Sequence, residues 1–223
     1  MATSFALRKE LIRYAQRLDE KAFVANHDGN LSARLADENR FLATPTARGK
    51  FDIKTDDLIV VDVAGKTRAG SAKIFGEWAF HAAIYKQRPE INAVVHAHPP
   101  HASSFGLAAE SLPVTFWPEG VVSLGLSVPC ASPGAAELSG SVESLTRAAR
   151  RASACLMQGN GVFAWGTSVE QAYLRLELVE HLCRIFMLAR NNGTLQHLPP
   201  DTVSLLMGKR KKAGLLSPEE TIL

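Results

Sequence analysis

The stretch AVVHAHPPHA, residues 93–102, sets His96, His98 and His101 behind a run of small and branched apolar side chains. In a strand, side chains at i and i+2 leave the same face, so His96 and His98 are expected to point together into one site. Two converging imidazoles form a chelate for zinc or a similar divalent ion. An isolated H-x-H is also what two ordinary polar residues at a strand end look like, each bonded to a neighbour or to water. Glu77, upstream in KIFGEWAFH, shifts the balance. A carboxylate in the first turn of a helix complements the helix dipole, and it could equally serve as a general base or metal ligand over the histidine pair. His81, at i+4 from Glu77, shares its helix face and is read as a core or supporting residue. HDGNLSAR, residues 27–34, joins a glycine to Asn30. Such a turn permits positive φ, exposes amides and is able to cup an anion or an oxygen-rich substrate, although most Gly-Asn pairs are plain turns.

Several elements must position these groups. Leu7, Leu11, Tyr14, Leu18 and Phe23 recur at helical spacing, which predicts an opening amphipathic helix. ANHDGNLSARLADENRFLATPT reads as strand and loop, and DLIVVDVAGK as a strand ending in a tight turn. A second helix is expected from about 75 to 87, stopping before Arg88-Pro89. INAVVHAH has the length and branching of a buried strand. Further strands are expected around 121–129, 154–158 and 162–166. Helices are expected at roughly 134–151 and 169–190, the latter opened by a capping pattern of Ser168 and Gln171, with one more short helix near the C-terminus. Helices bracketing strands predict a mixed α/β layered domain, here one domain over 1–223 with its core at about 7–192 and a helical tail at 193–223.

The chain has 223 residues, 46% of them hydrophobic and 21% charged, the balance of an ordinary globular protein. Net charge is only +3, and much of the excess lies in GKRKKAG, which reads as a solvated helix end or frayed tail. No aromatic residues interleave with that run, so no nucleic-acid partner is expected. The opening stretch lacks an uninterrupted apolar core and no later run reaches eighteen apolar residues, so neither a signal peptide nor a membrane span is expected. Cys130, Cys155 and Cys183 are odd in number and widely spaced, which suits reduced thiols in a cytoplasm better than a disulfide framework.

Taken in order, GNLSAR (29–34), ATPTARG (43–49), GEWAFH (76–81), VVHAH (94–98) and QGNGVFAWG (158–166) resemble blocks of the class II aldolase/adducin family. The resemblance implies a three-layer α/β/α fold around a mostly antiparallel sheet, assembled as a homotetramer with sites between subunits. In that family's aldolases three histidines hold a zinc ion that polarises the substrate carbonyl and adjacent hydroxyl, while a glutamate moves protons. Carried over, Glu77 matches the acid/base, His96 and His98 match two metal ligands, and Asn30, Thr46 and Gly76 match substrate-binding positions. This sequence also departs from the family pattern. Asn160 stands where a third histidine is usual, which loosens zinc binding or favours manganese or magnesium. Phe75 and Gly76 replace two phosphate-binding serines, Ala47 replaces a glycine, and Phe116 replaces a tyrosine that donates a proton. Together the losses point to an uncharged or carboxylated small molecule as substrate.

The resulting expectation is a metal-dependent aldehyde-lyase acting through a metal-stabilised enediolate on a hydroxy-carbonyl or sugar-derived substrate. A decarboxylase of a hydroxy or aromatic acid is the alternative on the same scaffold, since both need the same enolate. A non-catalytic adducin-like binding module is the second alternative. His27 and His101 are the residues on which a replacement for the missing imidazole is first sought.

Overall fold

The computed structural model describes residues 4–36, 39–132 and 138–220. The chain groups into two compact units, 1–99 with 163–174, and 100–162 with 175–223.

The first unit opens with α1 (Ser4–Glu20), whose Leu11, Tyr14, Ala15 and Leu18 are buried at the expected helical spacing. The antiparallel strands β1 (Asn30–Arg34) and β2 (Arg40–Ala43) follow, then β3 (Ile59–Asp62), β4 (Thr67–Ala69), α2 (Trp78–Gln87) and β5 (Ala93–Ala97). β1 also pairs antiparallel with β5, placing Asn30 opposite His96. The strands run β4-β3-β2-β1-β5, and β10 (Val162–Gly166) lies beside β5. Every residue of β5 is buried, as in a central strand covered on both faces. An imidazole within that apolar run marks His96 as more than packing.

The second unit contains α3 (Pro100–Leu107), β6 (Leu112–Pro113), α4 (Pro118–Leu124), β7 (Ser127–Val128), β8 (Cys130–Ala131), α5 (Leu138–Arg151) and β9 (Ala154–Met157). α6 (Val169–Asn192) ends in it, and α7 (Pro200–Lys212) closes it. β6 and β7 pair antiparallel, and β8 and β9 pair parallel. The chain is therefore mixed α/β with mostly antiparallel pairing, as expected.

Three local expectations change. Residues 118–124 form α4 rather than a strand: Pro118 pre-sets the first helical position and Gly125, at φ +100, ends the element. The branched residues of VVSL serve a buried helix face, which a short apolar run does not distinguish from a strand. α2 starts at Trp78, not near Phe75, leaving Glu77 at its cap. Arg210, within the run expected to be solvated, is fully buried. The start of the helix expected at 134–151 falls outside the described residues, and α5 is described from Leu138. The three cysteines are free, with Cys155 and Cys183 buried and Cys130 partly so. Among the described residues no helix is long and apolar enough to cross a membrane.

Candidate functional site

In the first unit the structure brings Asn30, Glu77, His96 and His98 together. His96 lies on β5 and is fully buried, its ring stacked on Phe163 of β10 at a centroid distance of 4.0 Å and 11° between planes. His98 lies just past the strand end, held by its backbone N–H donating to the Phe23 carbonyl at 2.9 Å. The two rings turn toward each other, with their Nε2 atoms 3.1 Å apart. Gly29 permits this approach. Its φ is +69, and a Cβ there would lie 2.5 Å from Val24 Cγ1 and 3.1 Å from the His96 carbonyl oxygen, so only glycine fits the turn.

Glu77 is hydrogen-bonded to Asn30, the residue opposite His96 in the sheet register. The Asn30 Nδ2 donates to Glu77 Oε2 at 3.3 Å, and the Asn30 Oδ1 is buried without a protein partner. A buried carbonyl oxygen left unpaired costs about 1–3 kcal/mol, which a substrate hydroxyl would recover. The amide is thus oriented with its donor toward the carboxylate and its acceptor available.

Residues not singled out in the sequence support the pair. Asp28, which reads in sequence only as part of a turn, accepts from the Ala25 N–H through Oδ1 at 2.6 Å and places Oδ2 2.9 Å from His98 Nδ1. The buried Lys50 donates to the carbonyls of His27 at 3.1 Å and Arg48 at 3.0 Å. Burial pushes its pKa down, opposed by the negative charges of Asp28, Asp19 and Glu77. Ser32 Oγ lies 2.7 Å from His81 Nδ1 and 2.8 Å from the Tyr85 hydroxyl, while His81 Nε2 is buried without a partner. Burial, then the adjacent His96, holds the His81 pKa well below its ordinary value, in keeping with a supporting role. Only Gly29 hints at Asp28 in the sequence, because a turn that needs positive φ is where a short acidic side chain folds back on its own backbone.

The positions read from the sequence as substrate contacts are open to solvent. Thr46 and Gly76 are exposed, and a Cβ at Gly76 would meet nothing within 4 Å. A serine would fit there, so the missing hydroxyl is a chemical difference. Phe75 is buried against Trp78 and His81, replacing a polar position by core. Ala47 keeps φ +54, the conformation that a glycine suits and that a Cβ makes costlier.

Asn160, Phe116 and His101 belong to the second unit. Asn160 sits in the turn after β9, its N–H donating to the Met157 carbonyl at 3.0 Å. Phe116 packs on Phe186 with centroids 5.7 Å apart. His101 Nδ1 lies 2.6 Å from Glu180 Oε1, and the same carboxylate accepts from the backbone of His101 at 3.2 Å and of Ala102 at 2.8 Å. That arrangement fits a cap on α3. The His27 ring is exposed.

Two imidazole nitrogens on one tetrahedral zinc, each about 2.0–2.1 Å from it, stand roughly 3.3–3.4 Å apart. The observed 3.1 Å approach fits that chelate. Among the described residues no three His, Cys, Asp or Glu side chains gather into one ligand set, so the fit is to a cation bound through two nitrogens and completed by other donors.

Residues 9–187 match the model of the Class II Aldolase and Adducin N-terminal domain. The chain belongs to this family. It is 28% identical over 182 residues to an L-fuculose phosphate aldolase of Methanococcus vannielii, covering 79% of this chain and 93% of that protein. It is 28% identical over 190 residues to a 3-oxo-tetronate 4-phosphate decarboxylase of Haemophilus influenzae, covering 82% and 88%. A solved L-fuculose 1-phosphate aldolase superposes with a TM-score of 0.84 at 28% identity, covering 95% of this chain and 98% of that one. The fold is therefore that of class II aldolases, a family that depends on divalent metals.

Proposed function

We propose that this enzyme is a metal-dependent aldehyde-lyase that breaks the carbon–carbon bond beside a hydroxy-carbonyl unit in an unphosphorylated, uncharged or carboxylated sugar-derived molecule. The observation that carries the reading is the convergence of His96 and His98 at their Nε2 atoms, with Glu77 tied to the same place through Asn30. A divalent cation held by His96 and His98, zinc first and manganese or magnesium as alternatives, would supply a Lewis acid for negative charge developing on the substrate oxygens.

The protein's own groups do the rest. The Glu77 carboxylate takes the hydroxyl proton as the carbon–carbon electron pair moves toward the carbonyl and an aldehyde departs, then returns a proton to the carbon left behind. Asn30 keeps that carboxylate in place and offers its unpaired Oδ1 to a substrate hydroxyl. Thr46 and Gly76 border the open side, where the lack of serine hydroxyls and the burial of Phe75 remove contacts a phosphate would use.

Decarboxylation is the second reading, favoured by the similarity to a named decarboxylase; the departing fragment is then carbon dioxide. A homo-oligomeric assembly, which the family resemblance implies, is part of the proposal.

Protein purified without chelator should carry about one divalent ion per chain, as for a single catalytic metal site, and His96→Ala should lose it. Assaying hydroxy acids and ketoses for trapped aldehyde and for carbon dioxide separates the two lyase readings. A metal-free wild type that binds none on titration would return the chain to the binding-module alternative, and a clear preference for a phosphorylated ketose would overturn the substrate assignment.

A further inference from the structure

We infer that Asp28 is a positioning residue that sets the tautomer and direction of the His98 ring, so that its Nε2 lone pair faces His96 and is available to a cation. The inference rests on the metal-site reading above and extends it to a residue outside the ligand set. An ionised carboxylate only accepts hydrogen bonds, so the 2.9 Å contact from Asp28 Oδ2 to His98 Nδ1 places the ring proton on Nδ1. In the neutral ring Nε2 then carries the lone pair, the form a metal ligand requires. In the metal-free ring pair the 3.1 Å contact is then donated from His96 Nε2, and a cation bound to both nitrogens would displace that one proton.

The carboxylate is itself held on several sides. Its other oxygen accepts from the Ala25 N–H at 2.6 Å, and the Asp28 N–H donates back to the Ala25 carbonyl at 3.1 Å, closing the loop. The Lys50 ammonium ties the carbonyl of His27, the preceding residue, to that of Arg48. The Asp28 charge opposes the lowering of the Lys50 pKa that burial causes. Gly29 follows at positive φ, so the chain turns directly into β1, where Asn30 lies opposite His96. One loop therefore fixes the substrate-facing amide and the orientation of a ligand.

The test uses the full chain and the zinc ion alone. Long-range proton–nitrogen NMR of the metal-free protein, with His98 assigned from a His98→Gln variant, should show the Nδ1–H tautomer in wild type and its loss or mixing in Asp28→Asn. Calorimetric zinc titration should find Asp28→Asn and Asp28→Ala weaker by about 10–100-fold, the usual effect of losing such a supporting partner. Thermal unfolding confirms that the isosteric Asn variant is folded. A wild-type His98 protonated on Nε2, or a folded Asp28→Asn with unchanged zinc affinity, overturns the inference. A wild type with the Nδ1–H tautomer, lost in Asp28→Asn, but no zinc binding would uphold the role of Asp28 while defeating the metal-lyase reading.

Discussion

Two buried polar clusters of this molecule are built to opposite rules. Around Arg210 in the second unit the groups are mutually satisfied: its guanidinium donates to both Glu220 oxygens at 2.8 and 2.9 Å, to Ser153 Oγ at 3.0 Å and to the Val122 carbonyl at 2.9 Å. Glu220 also accepts from the Ser217 N–H at 2.9 Å, and a Cβ at Gly125 would come within 2.5 Å of it. Around His96 in the first unit, Asn30 Oδ1 and His81 Nε2 are buried and unpartnered, and two imidazole edges face each other. The first pattern closes a structure, because a charge removed from water must be fully paired. The second leaves capacity unspent, as functional sites do when they await a ligand.

That contrast is broken most directly by removing one group from each cluster. Glu77→Gln keeps the shape and the hydrogen-bonding reach but not the base, so turnover should fall by about 10²–10⁴-fold. Zinc affinity and Tm should stay close to wild type, as steady-state kinetics beside calorimetry will show. Glu220→Ala should do the reverse. Stranding the buried Arg210 costs about 3–5 kcal/mol, or roughly 6–20 °C in Tm for a chain of this size, with zinc still bound. If Glu220→Ala abolished zinc binding in folded protein, the division between a structural and a functional cluster would fail.

The smallest effect sharpens the comparison through pH. His81 is neutral in the folded protein because burial, then His96, lowers its pKa well below 6.5. The unfolded chain takes up that proton near pH 6.5, so below this pH the unfolded state binds more protons. The stability contribution is present above about pH 6.5 and declines by roughly 1.4 kcal/mol per pH unit as the pH falls toward the folded pKa. Denaturant midpoints measured from pH 7 to 5 should show this slope in wild type and a shallower one in His81→Gln.

Much of the site was legible because its logic is local. Strand alternation placed His96 and His98 on one face, and the Gly29-Asn30 pair marked a turn with positive φ. Ser168 caps α6 as its spacing suggested, accepting from the Gln171 N–H at 3.1 Å. The companion glutamine folds back to Thr167 instead, so only half of the capping pattern forms. The VVSL segment misled because helix and strand share the same branched residues over so short a run, and flanking Pro118 and Gly125 decided it.

By itself, then, the sequence determined which side chains share a face and where the backbone must turn. Only the tertiary structure decided that Asp28 orients His98, that Ser32 and Tyr85 support His81, that Lys50 bridges two loops, and that one of four consecutive basic residues, Arg210, is buried on Glu220. The physical reason is range. Periodicity fixes a side chain's direction relative to its own element, whereas the partner it meets depends on which distant segments the packed core brings alongside it.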